Sequence, residues 1–169
     1  MIFTRKLLII GMILLISLAV LVGCNDNKPE IKTVVTLSNI TEEEYQQTQD
    51  SRKPGGAAIK DFKKLYVNVK ILNSKKAENR TIIIPDLYTI VNVQDRVRAV
   101  AGGGADQNNI GTGSIAESIA FVIIDSRGLT EENIRSLYNN SEIKVSYKLK
   151  NSDTVENIIS IGKNIVINN

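Results

Sequence analysis

The residues able to do chemistry in this chain are few and scattered. Its 169 residues include no histidine, no tryptophan and one cysteine, Cys24. Without an imidazole there is no Ser-His-Asp or Cys-His unit, no His-ligated zinc, and no side chain whose unperturbed pKa lies near neutrality. A single thiol makes no internal disulfide. Paired carboxylates cleave glycosides without histidine, and Glu117, Asp125 and Glu142 fall on or near expected strands, but no spacing brings two of them to a catalytic separation. Ser160-Ile-Gly-Lys163 has Ser-x-x-Lys spacing, yet it falls in an expected strand, where that chemistry needs the start of a helix. Asp106 and Asn108 supply only a fragment of a calcium loop. The triplet Glu42-Glu43-Glu44 suits the solvated first turn of a helix better than a metal site. The stretch 102–113, with Gly102, Gly103, Gly104, Gly111 and Gly113, could cradle an anion, but it has neither Gly-x-x-x-x-Gly-Lys-Ser/Thr nor a Gly-x-Gly-x-x-Gly opening a helix. It reads as a long flexible loop, one that a rigid scaffold could present for recognition. These residues call for no cofactor and no metal, and no enzymatic activity is expected of them.

The one cysteine has a more specific setting. Arg5 and Lys6 form a short positive region, residues 7–22 are almost unbroken apolar, and small Gly23 precedes Cys24. A transmembrane anchor is the competing reading of such a run. It is shorter than the about 20 residues that span a bilayer core, and the chain turns polar at once with Asn25-Asp26-Asn27-Lys28-Pro29-Glu30.

Leu21-Val22-Gly23-Cys24 resembles the lipobox of bacterial lipoproteins. The resemblance implies that Leu21, Val22 and Gly23 are recognised by a signal peptidase and that Cys24 is diacylglycerated and becomes the new N-terminus. It also implies a lipid-anchored protein on the extracytoplasmic face of a cell membrane. Two acyl chains, at about 0.8 kcal/mol per buried methylene, hold a protein on a bilayer where one chain does so only marginally. Residues 1–23 are then a signal peptide, 24–30 a lipidated tether and 31–169 the folded domain. Loss of Arg5 and Lys6 with the leader leaves 19 of the 21 basic side chains against 18 acidic ones, so the net charge of +3 mostly disappears. Lys63-Lys64 and Lys75-Lys76 are isolated pairs, and nucleic acid is not an expected partner.

The elements that position these residues follow from hydrophobic period. Alternation predicts strands over 31–39, 65–73 and 143–150, and a continuous apolar run predicts a central strand within 115–125. Residues 80–84 and 87–91, split by Pro85-Asp86, read as one broken edge strand or as two strands at a corner. Residues 93–101 read as another outer strand, and 155–167 as a final hairpin or a bulged strand. Thr41 and Glu44 have capping-box spacing for a short helix with no apolar stripe beyond it, so the segment near 41–60 is expected to be loose. Leu129-Thr130-Glu131-Glu132 starts a second short helix carrying Ile134 and Leu137.

Seven or eight short strands without βαβ alternation predict an all-β sandwich with one or two short helices. The leader, the polar spacer, the run Leu65-Tyr-Val-Asn-Val-Lys-Ile-Leu-Asn73 and the later Ala120-Phe-Val-Ile-Ile124 together resemble small Gram-positive lipoproteins with an immunoglobulin-like, telokin-like domain. That resemblance implies an immunoglobulin-like β-sandwich and carries no functional residue except Cys24. The expected function is a non-enzymatic binding or structural module of the cell envelope, with an envelope protein as partner. The alternative is a lipoprotein that captures a small molecule or a cell-wall fragment.

Overall fold

Alternating apolar side chains build the longest strands of this protein. The computed structural model describes residues 28–48, 52–108, 113–150 and 153–168; Leu21, Val22, Gly23 and Cys24 lie outside the described residues. In chain order the elements are β1 (Glu30–Asn39), α1 (Glu42–Gln47), β2 (Phe62–Leu72), β3 (Ala77–Ile83), α2 (Leu87–Asn92), β4 (Ala99–Gln107), β5 (Ile115–Asp125), α3 (Glu131–Leu137), β6 (Glu142–Leu149), β7 (Thr154–Ser160), α4 (Ile161–Asn164) and β8 (Ile165–Asn168). Short 3-10 turns precede β2 at Ile59–Asp61 and β3 at Ser74–Lys76.

The strands form two sheets, one in the order β4-β5-β2-β1-β8 and one in the order β3-β6-β7. Every pairing is antiparallel except β1 with β8, which is parallel. One apolar core takes side chains from both sheets: Val35, Leu65, Val67, Val69 and Ile124 from the first, Ile82, Ile143 and Val145 from the second. The chain is thus mostly strand, in two sheets with a few short helices, as an all-β sandwich requires. A smaller cluster of Ile40, Phe62, Val100 and Ile123 lies apart from it. Tyr45, Ala57 and Ile59 pack there, so parts of the segment near 41–60 rest on apolar side chains.

Several expected elements take another form. Residues 87–91 are helix, not strand. Asp86 caps them by accepting from Tyr88 N at 3.0 Å and Thr89 N at 3.3 Å, and Leu87 and Val91 are buried at i, i+4 spacing. Residues 93–97 form no strand: Val93 and Val97 are exposed while Arg98 is buried. Residues 102–107 are strand, not loop, paired with β5 from Gly102↔Val122 to Gln107↔Glu117. Residues 155–167 are neither a hairpin nor one bulged strand. β7 closes the second sheet, α4 turns the chain, and β8 joins the first sheet beside β1. Four short helices stand among the described residues where one or two were expected.

Candidate functional site

β4 is an edge strand, and its middle carries no side chains. Its start is held firmly. Asn92 Oδ1 accepts from Arg98 N and Ala99 N, each at 2.8 Å. The buried Arg98 guanidinium donates to both oxygens of Asp95 at 2.6 Å, to Asp125 O at 2.9 Å and to Arg127 O at 3.0 Å. A bulge between Ala99 and Ala101 then turns the strand onto β5.

From Gly102 onward the neighbours dictate the glycines. A Cβ on Gly104 would lie 2.4 Å from Ile119 O, and one on Gly102 would lie 3.0 Å from Phe121 O and 3.4 Å from the Tyr88 ring. A Cβ on Gly103 would meet the Phe121 ring at 3.1 Å. Phe121 stands directly across from Gly103 and covers it, as aromatic residues do for glycines at sheet edges. Residues 102–107 are all exposed.

Beside this edge lies a cleft of about 540 Å³, bounded by the end of β3, the Pro85-Asp86 link, Tyr88, the glycines of β4, and Ser118 to Phe121 of β5. Its wall at α2 is anchored by Tyr138, whose buried hydroxyl donates to Leu87 O at 2.8 Å. Burial, and then the charge of Asp86, push the Tyr138 pKa well up, so this hydroxyl keeps its proton and its bond. At the other end, Asn108 Nδ2 donates to Ile82 O at 3.3 Å and Asn108 Oδ1 accepts from Ile82 N at 3.1 Å.

The cleft is acidic. Asp86 and Asp106 line it, and no Lys or Arg does among the described residues. The Thr89 hydroxyl, with backbone N–H groups of Thr89 and Tyr88, holds Asp86 below the usual carboxylate range. Asp106 accepts from the buried Ser118 hydroxyl directly across the strand pair. A second cavity of about 330 Å³ lies against the same edge and shares Gly102 and Phe121 with the first. It is bordered by α1 and by Lys64, whose ammonium pairs with Glu44 and stands 5.0 Å from the Phe121 ring centre.

The other candidates of the sequence do not converge. Glu117 and Asp125 sit near opposite ends of β5, on the order of 25 Å apart at the rise of an extended strand, and Glu142 begins β6 in the other sheet. Glu117 pairs with Lys70 at 3.0 Å and accepts from Asn68 at 2.8 Å; these two bonds lower its pKa. Asp125 is buried between Arg96 and Arg127, at 3.0 and 2.9 Å. Burial would raise its pKa, but the hydrogen bonds from Arg127 and the charges of both arginines outweigh this and lower it.

Ser160 is the last residue of β7, as the sequence led one to expect, and also caps α4, where its hydroxyl accepts from Lys163 N at 3.4 Å. Its hydroxyl donates to Asn139 O at 2.9 Å, so its proton faces a backbone carbonyl. Asp106 and Asn108 point their oxygens at different partners and share no cation site. Glu44 completes the Thr41 capping box, while Glu42 and Glu43 each accept from the glutamine four residues on. Among the described residues, no group of three metal-ligating side chains occurs and no helix is long and apolar enough to cross a membrane.

Sequence reasoning found the glycines but not the edge they form; it missed Asp86, Tyr88 and Phe121, and it weighed Asn108 only as a calcium ligand. The Asp86 signal was present, since an Asp after a proline and before an i, i+4 apolar pair reads as a helix cap. No family model, no curated protein and no solved structure matches this chain.

Proposed function

We propose that this chain is a membrane-anchored envelope lipoprotein whose domain is a non-enzymatic binding module of immunoglobulin-like architecture. The strand edge at residues 102–107, open and flanked by two cavities, carries the binding reading. The anchoring reading rests on the lipobox-like Leu21-Val22-Gly23-Cys24 with the chain's one cysteine. Strand order supports the architecture. The first, second, fifth and fourth strands share one sheet and the third, sixth and seventh share the other, an order that agrees with the constant-type immunoglobulin arrangement. β8 is an addition to that arrangement, beside the first strand.

A second reading, capture of a small molecule or a cell-wall fragment, is favoured by the size of the larger cleft, which falls within the range of small-ligand sites.

Membrane fractionation with intact-mass measurement tests the anchor. The wild-type chain should partition with membranes at the mass of a chain beginning at an acylated Cys24, and Cys24→Ala should leave uncleaved precursor or released protein. Equal processing and equal membrane retention of Cys24→Ala contradict the lipid anchor.

A further inference from the structure

We infer that the free edge of β4 takes up an extended segment of a partner protein as an added strand, with basic side chains of that segment directed at Asp86 and Asp106. This names the partner class of the binding module proposed above, and it rests on that reading.

The backbone sets the first requirement. In an antiparallel pair, every second residue of β4 turns its N–H and C=O away from β5. Among the described residues nothing hydrogen-bonds these outward groups between residues 102 and 107. A row of alternating donors and acceptors at strand spacing is matched by another extended backbone. Natural edges are usually blunted by lysine, proline or an inward charge. Here residues 101–105 are alanine and glycine only, and the bulge lies before them.

The side chains set the second requirement. An added strand sends alternate side chains to opposite faces of the sheet, and a cavity lies on each side of this edge, the two sharing Gly102 and Phe121. The glycines keep both cavities open against the strand. Asn108 shows the same chemistry already in use, because its amide bonds both the N–H and the C=O of Ile82, as a residue of a neighbouring strand would.

Charge selects the segment. The larger cavity has two carboxylates and no cation among its described lining residues, so it favours lysine or arginine side chains. In the smaller cavity Lys64 and Glu44 already neutralise each other beside Phe121 and Ile123, which favours uncharged side chains there. The fitting segment alternates basic with uncharged residues. A second copy of this chain fits less well: β4 has no basic residue, so two β4 edges brought together would leave both acidic cavities unmatched.

The test uses the full chain in detergent and the fluorescent peptide acetyl-Lys-Thr-Lys-Val-Lys-Thr-Lys-amide. Binding should saturate and should slow amide exchange within residues 102–107. Two changes to the peptide, glutamate in place of each lysine or N-methylation of every peptide bond, should each weaken binding by at least about tenfold. The double variant Asp86→Asn/Asp106→Asn, in which both amides can keep their caps and contacts, should weaken the lysine peptide by about tenfold and leave a peptide with serine at those positions unchanged.

No saturable binding, equal binding of the N-methylated peptide, or protection elsewhere than residues 102–107 overturns strand addition. Self-association of the chain through β4 does so as well, in favour of a second copy. Membrane fractionation of the same protein reads the anchor separately, so loss of strand addition with intact membrane attachment leaves the lipoprotein reading standing.

Discussion

Gly104 shows how one position can be decided entirely by a neighbouring backbone. A methyl group there would sit 2.4 Å from Ile119 O, a carbonyl that is part of the β4–β5 ladder and has little room to withdraw. Gly104→Ala should therefore lower the unfolding free energy by about 1–3 kcal/mol, the range for a forced steric clash in a packed region. Gly55→Ala, where no atom lies within 4 Å of the added carbon, should stay within about 0.5 kcal/mol of the parent. Urea denaturation of the two variants checks this, and equal stability would contradict the close strand pairing. The three consecutive glycines were legible as unusual but not as strand, because a strand is recognised by the alternation of its side chains and these residues have none. The information lay instead in Phe121, across the pair, whose ring occupies the space a side chain at Gly103 would take.

At the scale of elements, the start of β4 and the end of β5 are tied by charge. Asp125 is buried, bonds Arg127 and Arg96, and its backbone carbonyl accepts from the buried Arg98. Its folded pKa lies below the usual 3.8, so its stabilising contribution is complete above that value and is lost as the pH falls through the folded pKa. Asp125→Asn should cost about 3 kcal/mol at neutral pH, the scale for breaking one side of a buried ion pair. The gap between variant and parent should narrow below about pH 3.8, because a protonated Asp125 resembles the amide. Denaturant titrations across pH 2–7 measure the gap; a gap independent of pH would contradict the assignment.

Elements with a cap or a clean alternation were legible. The Thr41 and Thr130 caps start their helices as expected, and β2 buries Leu65, Val67, Val69 and Ile71 in strict alternation. Residues 87–91 misled because Leu-Tyr-Thr-Ile-Val has strand propensity, and the tertiary burial of Leu87 and Val91 on one helical face overrides it.

For the whole molecule, an all-β chain in two sheets was readable from strand spacing, whereas the partnering of strands was not. Nothing in residues 155–167 distinguishes a hairpin from a chain that leaves one sheet for the other. The change is made by four residues, of which Ile161 and Gly162 are buried and Gly162 packs against Arg135 and Asn139. The same topology puts β4 at the edge of its sheet and opens the cleft between that edge and the end of β3. Sequence reasoning could name the glycines as a place for recognition, but only the sheet order shows which groups they expose.

Residue-resolved hydrogen exchange on the free, full-length chain tests this most directly. Amides of residues 102–107 should alternate, every second one protected by its bond to β5 and the others exchanging at rates near those of open backbone. Uniformly fast exchange would make the segment a loop, uniformly slow exchange would mean the edge is covered, and either result would contradict an open strand edge as the binding surface of this protein.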